Sequence, residues 1–294
     1  MANDHHSYVT PRSYWPILGS IAMLMIAVGA VMFLHQDRYA SLVLATGLTL
    51  LAWMLIGWFR EVIVENKTVL AGDAVNEESF RQGMMWFIFT EVMFFLVFFA
   101  VLWYVRLGVL PWLAGDADYQ ASRLTHIVLW PDFDAIWPLM KTPDPSKFVG
   151  PKSIVNPWAI PAMNTLILLS SGVTITIAHY AIVKNHMRTA LVSQFSTIVL
   201  GLVFLVAQAY EYWLAYTHDG LTLSSGIYGN IFFMLTGFHG LHVGIGTLML
   251  IVVLVRMYFG AFTPKNHFAF EAVSWYWHFV DVVWLALFVF VYWL

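Results

Sequence analysis

"FRQGMMWFIFTEVMFFLVFFAVLWYVR", residues 80–106, decides the fold. Between Arg81 and Arg106 the only charged side chain is Glu91. At about 1.5 Å of rise per residue, a helix of this length crosses the roughly 30 Å hydrocarbon core of a bilayer. A charge at bilayer depth costs about 2.5–3.5 kcal/mol on insertion scales. Glu91 therefore requires a partner, a cavity or a task.

The rest of the chain agrees with a membrane setting. Of its 294 residues 60% are hydrophobic, 17% aromatic and only 11% charged, against about 25% charged in soluble domains. The composition predicts an all-α integral membrane protein. A net charge of −3 points to neither an acidic nor a basic partner, and no nucleic-acid-binding surface is visible. With no cysteine there is no disulfide, thiolate-bound metal or iron–sulfur cluster. The opening "MANDHHSYVTPRSYWP" lacks a basic region followed by a cleavage site, so it reads as a short cytosolic tail. His5 and His6 are too few for a metal tract.

Apolar stretches of membrane length recur near 15–34, 39–59, 83–106, 157–183, 193–215, 227–255 and 271–293, predicting seven transmembrane helices. Gly240 and Gly244 in span six, at GxxxG spacing, suit close helix–helix packing. With the N-terminus inside, Arg12, Arg60, Lys67, Arg81, Lys184, Arg188, Arg256 and Lys265 face the cytosol, and Arg38 faces out. The basic residues on the loop at about 108–156 run against this bias, which long translocated segments follow poorly. That loop is rich in Pro, Trp and Asp, so no further helix is expected in it. It is expected to lie across the outer surface and dock there. The organisation predicted is an N-terminal part (1–70, with spans one and two) and a second part (71–294, with spans three to seven). No internal repeat is present.

Depth sorts the ionisable residues. Glu211, His179 and Glu271 lie near span ends, where side chains reach headgroups by snorkelling. Glu91, His239, His242, His278 and Asp281 are deeper. Glu91 lies about 12 Å into span three, and His278 and Asp281 about 10 and 15 Å into span seven, at about 1.5 Å per residue. His278 and Asp281 share a helix face, as do His239 and His242. Pairing a buried acid with a histidine is the cheapest way to hold either, so Glu91 and the span-seven pair are expected in one polar cluster. Three readings compete for these residues: a metal site on His239 and His242, a proton or ion relay, and a cluster that fixes helix register.

The segments "FRQGMMWFIFTEVMFF", "NTLILLSSGVTITIAH", "GIYGNIFFMLTGFHGLHVGIG" and "FEAVSWYWHFVDVVWLALFVFVYWL" closely resemble subunit three of the haem–copper cytochrome c oxidases. "WPILGS" and "WFREVIVE" echo it more weakly. The resemblance implies seven helices, with helices one and two splayed from a bundle of helices three to seven, and phospholipids bound in the cleft. It implies no cofactor in this chain, haem and copper being held by subunits one and two. It also implies a role in steadying subunit one and assisting proton uptake. Glu91 matches the family's carbodiimide-reactive carboxylate. Trp58, Glu65, Arg256 and His267 match positions near lipid headgroups, where an interfacial belt of basic and aromatic residues is expected anyway.

The long loop favours a bacterial oxidase over a mitochondrial one, placing the chain in a bacterial inner membrane. The presence of spans one and two favours cytochrome c over quinol as the donor to the complex. The rivals are the equivalent subunit of a quinol or nitric-oxide-related haem–copper enzyme, and a free-standing proton-coupled transporter. The transporter is disfavoured by the odd span count and the missing repeat.

Overall fold

A computed structural model describes residues 12–68 and 74–294, without side chains at 66–68 and 74–77. The tail over 1–11, with His5 and His6, and the Lys67 side chain lie outside the described residues. Among the described residues nine α-helices are seen: α1 (Trp15–Leu34), α2 (Ala40–Thr68), α3 (Ala74–Tyr104), α4 (Leu110–Leu113), α5 (Gln120–Leu129), α6 (Ile160–Val183), α7 (Met187–Thr217), α8 (Ile227–Tyr258) and α9 (Phe268–Leu287). Among the described residues the only β pairing is an isolated bridge, Thr263 to Asn266. Seven helices among the described residues are long and apolar enough to cross a membrane, and the chain is an all-α membrane protein. In lipid a helix satisfies its backbone groups within itself, which is why each apolar run is helical throughout.

Several helices outrun their apolar stretches. α2 continues past Arg60 and Glu61 to Thr68, and α7 begins at Met187 rather than near 193. Hydropathy measures how much of a helix suits lipid; charged residues with good helix propensity extend it beyond that. The chain divides into two units at Asn76/Glu77.

In the first unit α1 and α2 form a hairpin. Asp37 N–H bonds to Met32 O at 3.0 Å and closes α1, with Gln36 in the left-handed region (φ 57). The helices meet where side chains are absent. A Cβ on Gly29 would lie 2.7 Å from Leu44 N, and one on Gly47 would lie 2.9 Å from Ile26 N.

In the second unit α6 and α7 form another hairpin, closed by His186 N–H to Ala181 O at 2.8 Å with Asn185 at φ 60. Trp277 of α9, wholly buried, ties this bundle together. Its Nε1 donates to Ser171 Oγ on α6 at 2.9 Å. Its ring lies against Gly201 of α7 and Gly246 of α8, where a Cβ would come within 2.8 and 2.9 Å. Trp284, two turns further along the same face of α9, packs edge-on against Phe204 (4.8 Å, 90°) and donates to Thr165 Oγ1 at 2.9 Å. α3 joins α8 and α9 through rings rather than close backbone approach, as in Phe94–Phe238 (5.1 Å) and Phe95–Phe279 (6.0 Å).

Two expectations fail here. A Cβ on Gly240 or Gly244 would meet nothing within 4 Å, so within this chain they make no close helix contact, whereas Gly201 and Gly246 do. Spacing reveals a flat helix face, but only the partner helix decides which face is used. The long loop does contain a further helix, α5. Its segment "QASRLTHIVL" has neither Pro nor Gly, so the loop's overall composition misrepresented it. Ser122 on α5 donates to Trp112 O at 2.7 Å, and the loop's far end is tied to the chain itself, Lys152 N–H donating to Asp219 O at 2.8 Å.

Candidate functional site

The intramembrane polar residues form separate pockets rather than one cluster. Glu91 on α3 meets His242 on α8: Oε2 and Nε2 are 2.8 Å apart. The other imidazole nitrogen, Nδ1, faces Phe238 O one helical turn back, at 2.6 Å. Phe95 (4.9 Å) and Phe94 (5.8 Å) close around the imidazole. The expected partnership of Glu91 with His278 and Asp281 is not formed. Rotation about the helix axis turns Glu91 toward His242 of α8 instead.

His278 and Asp281 pair with each other across one turn of α9, Nδ1 to Oδ2 at 3.7 Å. The rest of their pocket comes from α6. Thr176 Oγ1 lies 3.3 Å from His278 Nε2, and Gly172 makes room for the acid, since a Cβ there would lie 2.6 Å from Asp281 Oδ2. His278 keeps 43% of its side chain exposed while Asp281 keeps 8%. This pair therefore opens to the bundle surface on the His278 side.

His239 and His242 do not act together. His239 is wholly buried between Phe204 (5.8 Å) and Trp284 (5.3 Å), and neither of its nitrogens has a hydrogen-bond partner. Residues three apart on a helix are displaced by about 60° around its axis, enough here to send the two rings into different pockets.

Glu211 corrects the snorkelling expectation. It is 2% exposed, and its Oε1 accepts from Tyr292 O–H at 2.6 Å and Gln208 Nε2 at 3.3 Å. Tyr292 comes from the last turns of the chain, so sequence position along α7 alone carried no sign of this bond.

Of the residues matched to headgroup positions, Trp58 and Glu65 line a groove of about 400 Å³ within the first unit, with Trp15, Met54 and Glu61. Trp15 Nε1 donates to the Glu61 carboxylate. Gly57 admits the Trp15 ring, as a Cβ there would collide with it at 2.1 Å. Arg256 lies over the Phe262 ring at 5.2 Å. His267, the N-cap of α9, stands beside His179 of α6, ring centroids 5.4 Å apart. Glu271, one turn into α9, completes a set whose ligand-capable atoms all lie within 4.8 Å of one another. Arg81 of α3 forms an ion pair with Glu271. Sequence reasoning separated these residues: His179 and Glu271 were taken as snorkelling and His267 as interfacial, and His179 lies about 90 positions from the other two, on a different helix.

The chain matches the family model described as "Cytochrome c oxidase subunit III" over residues 5–113 and 128–294. It belongs to that family. Among its relatives, "Cytochrome c oxidase subunit 3" of Marchantia polymorpha is 40% identical over 295 residues, covering 100% of this chain and 98% of the relative. The protein of the same name from Triticum aestivum is 39% identical, covering 99% and 97%. "Probable cytochrome c oxidase subunit 3" of Rickettsia bellii is 39% identical, covering 98% and 95%. The subunit III family model skips 114–127, the stretch that carries most of α5. The resemblance read from the four motifs is thus a full-length relationship.

Proposed function

We propose that the chain is the accessory subunit of a proton-pumping cytochrome c oxidase and holds no redox cofactor itself. In this reading haem and copper belong to partner subunits one and two, and cytochrome c reduces the complex without touching this chain. The chain steadies subunit one, retains phospholipid and supports proton uptake. It sits in a bacterial inner membrane with its N-terminus cytoplasmic and C-terminus periplasmic, the orientation that the bias of basic residues favours.

The observation that carries the reading is how the membrane-depth acids are used. Glu91 is taken by His242, Asp281 by His278 and Glu211 by Tyr292. A relay needs successive groups within hydrogen-bond reach, whereas each of these acids ends in its own pocket and links two helices or two turns. That arrangement favours support of a neighbouring subunit over a conduction path through this one. Lipid retention is assigned to the groove bearing Trp58 and Glu65, and to Arg256 and His267, where a carboxylate or base beside aromatic rings suits a zwitterionic headgroup.

The test is an oxidase complex prepared without this chain. Its haem spectrum and initial electron transfer should match those of the whole complex. It should slow at higher pH, where proton supply limits, and inactivate sooner during turnover. Complete loss of activity with every metal centre still in place would overturn the accessory assignment.

A further inference from the structure

We propose that His179, His267 and Glu271 form a binding site for a divalent transition-metal ion, bridging the C-terminal turn of α6 to the N-terminus of α9. The proposal is independent of the accessory-subunit reading, because it rests only on these side chains.

Geometry comes first. One donor atom from each residue lies within 4.8 Å of the other two. Ligands held about 2.0–2.1 Å from a tetrahedral ion sit roughly 3.3 Å apart, so the widest pair must close by about 1.5 Å. Side-chain rotation supplies that without moving a helix. The residues sit where they can be held: His267 and Glu271 are one turn apart on α9, and His179 stacks on Phe270 between them (5.8 Å, 27°).

The second observation is independent of spacing. His179 Nε2 and His267 Nδ1 are both buried and have no hydrogen-bond partner. Buried imidazole nitrogens nearly always have one. Both orphaned nitrogens belong to residues whose donor atoms converge with Glu271.

The donor set selects the ion class. Two imidazoles and a carboxylate suit Zn²⁺ and its neighbours, with a fourth position left for water. Mg²⁺ and Ca²⁺ prefer oxygen ligands, so they fit poorly. Arg81 pairs with Glu271 and orients its carboxylate, as outer-shell partners of a metal ligand do. The guanidinium also repels the ion. All three ligands are half-buried, and the Glu271 carboxylate offsets that repulsion by attracting the ion.

The test uses the purified complex containing the full chain, stripped with a chelator and titrated with Zn²⁺ against a competing indicator. Wild type should bind one Zn²⁺ more than the His179→Gln/His267→Gln double variant. Each single variant should weaken that site at least as much as losing an outer-shell partner does, about 10–100-fold. His126→Gln, remote on α5, should leave it unchanged. Should the variants fail to assemble, zinc X-ray absorption on the wild type at one equivalent above the stripped complex reads the site directly. A shell of two imidazole nitrogens with oxygen supports the proposal. Equal stoichiometry and affinity in wild type and double variant, or a shell without imidazole, overturns it.

Discussion

His242 Nε2 stands 2.8 Å from Glu91 Oε2 while His242 Nδ1 stands 2.6 Å from Phe238 O. A carbonyl only accepts, so Nδ1 carries a proton. A bare Nε2 facing a bare carboxylate at this distance would repel, so one further proton lies on the line between them. Whether it rests on the acid or the ring, the pair as a whole is neutral. That is how a carboxylate inside an apolar span is held at modest cost.

Replacing Glu91 with Gln keeps a donor for His242, so assembly and turnover of the complex should change little. Glu91→Ala leaves His242 Nε2 unpaired, a loss of about 1–3 kcal/mol, read as a lower thermal midpoint and poorer retention of the subunit. If the acid relays protons instead, Gln must harm proton uptake as much as Ala, since an amide does not titrate. Uptake rates of the two variants in intact complexes decide between the roles.

Gly172 should tolerate no side chain. A methyl group there meets Asp281 Oδ2 at 2.6 Å, so Gly172→Ala has to turn Asp281 away from His278. Overpacking of this kind costs about 1–3 kcal/mol. Gly83→Ala, where a Cβ meets nothing within 4 Å, is the matched control and should be neutral or slightly stabilising. Thermal unfolding of both variants in the same detergent makes the comparison; equal midpoints would refute the contact.

Tyr292→Phe removes the 2.6 Å donor to Glu211 and leaves it the weaker bond from Gln208 at 3.3 Å. A buried acid short of donors should cost about 1–3 kcal/mol. Adding Glu211→Leu should recover part of that loss, because removing both partners leaves no unsatisfied charge. The midpoints of the single and double variants give the sign; no recovery in the double variant would mean the hydroxyl matters through packing.

Gly57→Ala should displace the Trp15 indole, which lies 2.1 Å from the added carbon, and break its bond to Glu61. The groove that holds Trp58 and Glu65 loses a wall. Phosphorus analysis of the purified complex should show less co-purifying phospholipid, by up to one molecule per chain. Unchanged lipid content would remove this groove from the lipid sites.

The sequence by itself determined the seven spans and their order, because crossing lipid demands a continuous apolar run of set length and forces it into helix. It also carried the family relationship, since "FRQGMMWFIFTEVMFF" and the three motifs after it are local strings. It fixed how far along its helix each polar residue lies, because rise per residue is constant. What it left open was rotation and partnership. Glu91 faces α8 rather than α9, Glu211 is clasped by Tyr292 at the chain's far end, and His179 converges with His267 and Glu271. Those outcomes depend on which faces of distant helices meet. That choice is made by the fit of Trp277 against Gly201 and Gly246, and of rings such as Phe94 against Phe238. Packing of that kind is a property of pairs of helices, so no single stretch of sequence contains it.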